Sequence, residues 1–193
     1  MIARSVAAAC VVVAATFIGA EAFAQAPTYK VLATNKTSTM EKEMREAGAQ
    51  GYRFSAVMGG ETASAGNQVV VLMGKDGDSV SRKFDHKLLA TSKTSTLQKE
   101  LQTAADMGFE YKGQTVFESM FGGQEVVAIL EKDLTQTNRT RWEYRLIATS
   151  KTSTLEKELR DTSELGFEVV AMSVGKTAMG GSELVVITRR RAK

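Results

Sequence analysis

Ala33-Thr34-Asn35-Lys36-Thr37-Ser38-Thr39-Met40-Glu41-Lys42-Glu43 returns as Ala90-Thr91-Ser92-Lys93-Thr94-Ser95-Thr96-Leu97-Gln98-Lys99-Glu100. It returns again as Ala148-Thr149-Ser150-Lys151-Thr152-Ser153-Thr154-Leu155-Glu156-Lys157-Glu158. The steps are 57 residues (33 to 90) and 58 residues (90 to 148). A fixed period of this length marks one supersecondary unit used in tandem. The fold is therefore to be read from one unit and then multiplied.

Working outward, the same elements flank each copy. Tyr29–Ala33, His86–Ala90 and Tyr144–Ala148 read as a first strand. Ser38, Ser95 and Ser153, each followed three residues later by Glu41, Gln98 or Glu156, read as capping boxes that start a helix. Apolar residues then recur at helical spacing: Met40, Met44, Ala47; Leu97, Leu101, Ala104; Leu155, Leu159 and the weaker Thr162. Met107 and Leu165 extend the stripe. Gly51, Gly108 and Gly166 stand where a left-handed residue closes a helix. A second strand follows each glycine and aromatic, as in Phe167–Met172. The third strands, Gln68–Leu72, Glu125–Ile129 and Glu183–Ile187, are continuous apolar runs, which predicts cover on both sheet faces.

The expected fold class is α+β: three tandem βαββ repeats of mostly antiparallel sheet, one helix each, after an N-terminal signal peptide. The repeats are placed at Tyr29–Lys75, Phe84–Asp133 and Trp142–Arg191, joined by polar linkers. A unit of about 48 residues is marginal alone. The repeats are expected to share a core around a pseudo-threefold axis, with an extended row as the alternative.

Residues 1–24 carry Arg4, an apolar run from Val6 to Ile18, and Ala22-Phe23-Ala24. That is the pattern of a secretory signal cleaved after Ala24. The apolar run is shorter than the about 20 residues a spanning helix needs. The expectation is a periplasmic or secreted bacterial protein without stable membrane insertion after cleavage. Cys10, the one cysteine, lies inside that run, so the mature chain is expected to form no disulfide. With 25 basic and 22 acidic residues, net charge is +3, which suits a mixed solvated surface and not a nucleic-acid stripe.

The third repeat resembles the small bacterial domain of unknown function 4177. The resemblance is carried by Trp142–Ile147, Leu155-Glu156-Lys157-Glu158-Leu159, Leu165-Gly166-Phe167-Glu168-Val169-Val170 and Leu184–Arg190. It extends more loosely to the other two repeats, and Gly51-Tyr52-Arg53 departs from the usual Gly-aromatic-Glu. The resemblance implies a βαββ fold and no activity.

For chemistry, the repeated loop is the first candidate. Lys36, Thr37, Ser38, Lys93, Thr94, Ser95, Lys151, Thr152 and Ser153 combine cations, hydroxyls and helix-start N–H groups, which suits a small anion. The plain alternative is three helix caps with solvated lysines. Phe121 and Met179, beside Gly122-Gly123 and Gly180-Gly181, are candidate partner contacts at hairpin tips. The single histidine, His86, excludes a multi-histidine metal site. The helix carboxylates read as a solvated face paired with cations, such as Lys42 with Glu46 and Glu156 with Arg160. No catalytic group, cofactor or metal is expected. The leading reading is an exported, non-enzymatic interaction scaffold with an unknown protein partner, and the second is a binder of a small anionic ligand.

Overall fold

The computed structural model describes residues 26–63, 66–77, 81–118, 123–176 and 181–192. The expected signal segment, Phe121 and Met179 lie outside these residues. Three modules of one design follow one another. Module 1 comprises β1 (Thr28–Thr34), α1 (Thr37–Ala49), β2 (Arg53–Thr62) and β3 (Gly66–Lys75). Module 2 comprises β4 (Phe84–Thr91), α2 (Thr94–Asp106), β5 (Glu110–Glu118) and β6 (Gln124–Asp133). Module 3 comprises β7 (Trp142–Thr149), α3 (Thr152–Glu164), β8 (Glu168–Lys176) and β9 (Ser182–Arg191). Each forms an antiparallel sheet with its last strand central: β1-β3-β2, β4-β6-β5 and β7-β9-β8. The α+β class with three repeats holds.

The three helices end alike. Gly51, Gly108 and Gly166 take φ of 90°, 85° and 82°, the left-handed region that favours glycine. The amides of Tyr52, Phe109 and Phe167 reach back to the carbonyls of Ala47, Ala104 and Thr162, and each glycine amide bonds the next carbonyl along. That is a Schellman closure at each helix end.

The starts differ from the expected capping boxes. Lys36, Lys93 and Lys151 occupy the cap position, without a side-chain cap bond. Their N–H groups instead donate to the hydroxyls of Thr34, Thr91 and Thr149. This side-chain turn closes the strand exit and starts the helix ahead of the serines, which become exposed second residues. Met107 and Leu165 are also corrected: both are exposed, because they sit where the chain leaves the helix and the apolar face no longer points inward.

The cores lie between modules. Each sheet has a back face, which carries its own helix, and a front face. The back of module 1 (Val69, Val71, Met73, with Met40, Met44 and Ala47 of α1) packs on the front of module 2 (Leu88, Val127, Ile129, Phe117). The back of module 2 (Val126, Ala128, Leu130, with Leu97, Leu101 and Ala104 of α2) packs on the front of module 3 (Tyr144, Ile187). Strand β6 therefore feeds alternate residues into two cores, which accounts for its unbroken apolar run. The arrangement is a row. The shared core about a threefold axis does not form, because β1 stays exposed and α3 packs principally on its own β7.

Candidate functional site

Helices α1 and α2 each close the free edge of the next module's first strand. Glu41 Oε2 accepts the Leu88 N–H at 2.9 Å. Gln98 Oε1 accepts the Leu146 N–H at 2.6 Å, and its Nε2 donates to the Tyr144 carbonyl at 2.9 Å. Gln102 accepts the Tyr144 N–H at 3.0 Å. An edge strand presents unpaired backbone groups, and here side chains of the preceding helix satisfy them. Sequence reasoning placed Glu41 and Gln98 in capping boxes and missed this role. The signal was present: Glu, Gln and Glu recur at one helix position, facing outward from the apolar stripe.

Beside each closed edge lies a polar junction, its ion pair buried at the first and only partly buried at the second. At the first, His86 and Glu131 oppose each other across β4 and β6 and are nearly inaccessible. His86 Nε2 lies 3.2 Å from Glu131 Oε2, which also accepts the Phe54 N–H at 2.8 Å. Arg53 of module 1 approaches the other oxygen at 3.5 Å. Burial alone would raise the Glu131 pKa, but the hydrogen bonds from His86 and the Phe54 N–H, with the Arg53 charge, overcome it and hold the group below the ordinary carboxylate range. Gly48 is required here, since a Cβ would run into the Phe84 carbonyl and the His86 ring.

The second junction uses the same positions with reversed charge. Arg189 replaces Glu131, Tyr144 replaces His86, and Glu110 replaces Arg53. Arg189 meets Glu110 at 2.9 Å and Glu168 at 2.9 Å. Burial would lower the Arg189 pKa, yet the two glutamates raise it. The Tyr144 hydroxyl accepts the Tyr111 N–H at 2.8 Å, and burial raises the pKa of both phenols. A cavity of about 220 Å³ between the junctions is lined by Arg53, Arg82, Lys112, Arg139, Glu110, Glu131 and Asp133. Its carboxylates are matched: Arg82 holds Asp133, and Lys112 holds Glu110. Although burial opposes it, Asp133 is held down to about 2 by the Thr135 hydroxyl and by Arg82.

The repeated loops are not brought together at one cavity. An open groove of about 880 Å³ over β4 takes Thr37, Ser38 and Ser95, along with Lys87, Lys99, Glu41 and Glu100. Lys93 and Thr94 line a separate crevice of about 10 Å³ with Glu125 and Glu183. That volume holds at most about one water, and carboxylates at its wall oppose an anion. Lys151, Thr152 and Ser153 line neither space. Lys36, Lys93 and Lys151 are all exposed. No helix among the described residues is long and apolar enough to cross a membrane.

The modules' equivalent surfaces are unequally covered. Tyr29 corresponds to His86 and Tyr144, and Val31 to Leu88 and Leu146. Tyr29 and Val31 are 61% and 66% exposed, whereas His86 and Tyr144 are 1% and 3% exposed. At the other end, Val169, Met172 and Val174 on the back of module 3 are exposed as well. Their counterparts Phe54 and Val57 pack into the first core. No family model, curated protein or solved structure matches the chain.

Proposed function

We propose that this is an exported, non-enzymatic interaction protein of the periplasm or cell exterior. Its contact surfaces are the front of module 1 and the back of module 3. The observation that carries this reading is the exposure of Tyr29 and Val31 at positions that a neighbouring element covers in both other modules. Apolar surface exposed in a patch, and buried wherever the same fold repeats, has the character of an interface. Kinship of the modules with domain 4177 belongs to this proposal and rests on the motifs of module 3.

Two features speak against other classes. The single histidine is sealed under α1 against Glu131, out of reach of a substrate. The anion-binding reading lacks a convergent site, since the loops open on separate spaces and one of these is acidic.

The test is site-specific photo-cross-linking in the producing cell. Photoreactive residues at Tyr29 and at Met172 are expected to trap protein, whereas one at the exposed linker residue Thr137 is not. Equal trapping at all three positions, or none at any, overturns the reading.

A further inference from the structure

The two open faces are the two halves of a contact the chain already makes twice. Back-on-front packing joins module 1 to module 2 and module 2 to module 3. Among the described residues, the front of module 1 and the back of module 3 stay uncovered. Nine large apolar side chains are exposed among the described residues. Six of them fall on these faces: Tyr29, Val31 and Met58 on the front of module 1, and Val169, Met172 and Val174 on the back of module 3. The helix side of the open back also keeps its chemistry. Glu156 stands where Glu41 and Gln98 stand, and among the described residues it bonds only Arg160 on its own helix. The core under α3 is correspondingly thin, with three buried members against ten and twelve in the other two clusters.

We infer that the occupant of both faces is a second copy of this chain, docked head to tail so that the back of module 3 covers the front of module 1. The inference rests on the reading of these faces as contact surfaces. Glu156 then accepts the Val31 N–H, as Glu41 accepts Leu88. Val169, Met172 and α3 cover Val31, Met58 and Tyr29. Inside the chain a Cβ is excluded from the first junction at Gly48 and Gly59, but Ala105 and Val116 hold those positions in the second, which is the precedent for Ser163 and Val174 at the open back. In the first junction, Gly113 lies under Phe54, where a Cβ would clash with the ring. At the open front its counterpart is Ala56, and the residue arriving in place of Phe54 is the smaller Val169. The junction charge is absent from module 1, where Gly74 occupies the position of Glu131 and Arg189, so Glu168 meets no like charge at that position. A contact of this type is heterologous: it closes into a ring or continues as a filament.

The test is sedimentation velocity of the purified chain over a dilution series, with Val31→Arg as a blocked front and Met172→Arg as a blocked back. Both positions are exposed in the single chain, so unchanged circular dichroism and melting are the folding control. Wild-type protein is expected to grow in size with concentration. Each variant alone is expected to be monomeric, and an equimolar mixture to give a 1:1 dimer and nothing larger. Glu156→Ala, which introduces no charge, is expected to weaken association by up to about tenfold. A monomeric wild type, self-association of either variant alone, or a mixture that stays monomeric overturns the inference. Pairing of β1 with β1 would survive Met172→Arg and is thereby told apart. If the wild type is monomeric while Tyr29 and Met172 still cross-link to another protein, the contact-surface reading stands without self-assembly. If they cross-link to nothing, both fall.

Discussion

The junction between modules 1 and 2 and that between modules 2 and 3 share a backbone plan and carry opposite charges. In the first, the glutamate is on the later module, Glu131, and the arginine on the earlier one, Arg53. In the second, the arginine is on the later module, Arg189, and the glutamate on the earlier one, Glu110. A buried hydrogen-bond acceptor takes the same amide in each, Glu131 for Phe54 and the Tyr144 hydroxyl for Tyr111. Burial and register set what the position must do, while either charge can do it. Module order follows: placing the front of module 3 on the back of module 1 would set Arg189 against Arg53.

The largest effect is expected from breaking this complementarity. Glu131→Arg places two guanidinium groups together at a nearly inaccessible site, and should cost about 3–5 kcal/mol in chemical unfolding. The triple change His86→Tyr, Arg53→Glu, Glu131→Arg copies the second junction into the first and should recover most of that loss. No recovery would show that the two junctions are not equivalent. Leu101→Ala, in the second core, should cost about 2–5 kcal/mol, whereas Leu159→Ala at the same helix position of the thin third core should cost less.

Acid separates the junctions by another route. The folded state holds Glu131 below its ordinary pKa, so its contribution is present above the ordinary carboxylate range and is lost as pH falls through the lowered value. Asp133 behaves likewise, losing its contribution between its ordinary 3.8 and about 2. Glu131→Gln should flatten the acid limb of a stability–pH curve measured by urea unfolding. An unchanged limb would contradict the account.

Much of this was legible in the chain itself. The repeated segment, the three glycines and the apolar spacing of Met40, Met44 and Ala47 act locally, and local physics is what a sequence displays. The back-on-front stacking was not legible, because it depends on residues far apart in the chain, such as Glu41 and Leu88. Glu41 obeys the capping-box spacing equally well, and only the packed neighbour reveals that it serves a strand edge. The Lys-Thr-Ser-Thr identity drew attention to an anion site, yet its visible structural job belongs to Thr34, Thr91 and Thr149 just before it.

Smaller effects sharpen that point. Gln98→Ala leaves the Leu146 N–H without its acceptor and should cost about 1–3 kcal/mol, while Glu156→Ala should leave the dilute monomer within about 0.5 kcal/mol. The triple change of Ser38, Ser95 and Ser153 to alanine should move the melting midpoint least, since these hydroxyls close no cap; a loss of about 1 kcal/mol for each serine would restore the capping-box reading.

One contact, made twice within the chain, is left half-made on the front of module 1 and the back of module 3 among the described residues. Amide hydrogen exchange at Val31, Leu88 and Leu146 tests it most directly, because the three are equivalent and two are covered by the preceding helix. Slow exchange is expected at Leu88 and Leu146 at every concentration, with Val31 fast when dilute and slow when concentrated. Val31 as protected as the others in the dilute monomer, or fast at all concentrations, would contradict it.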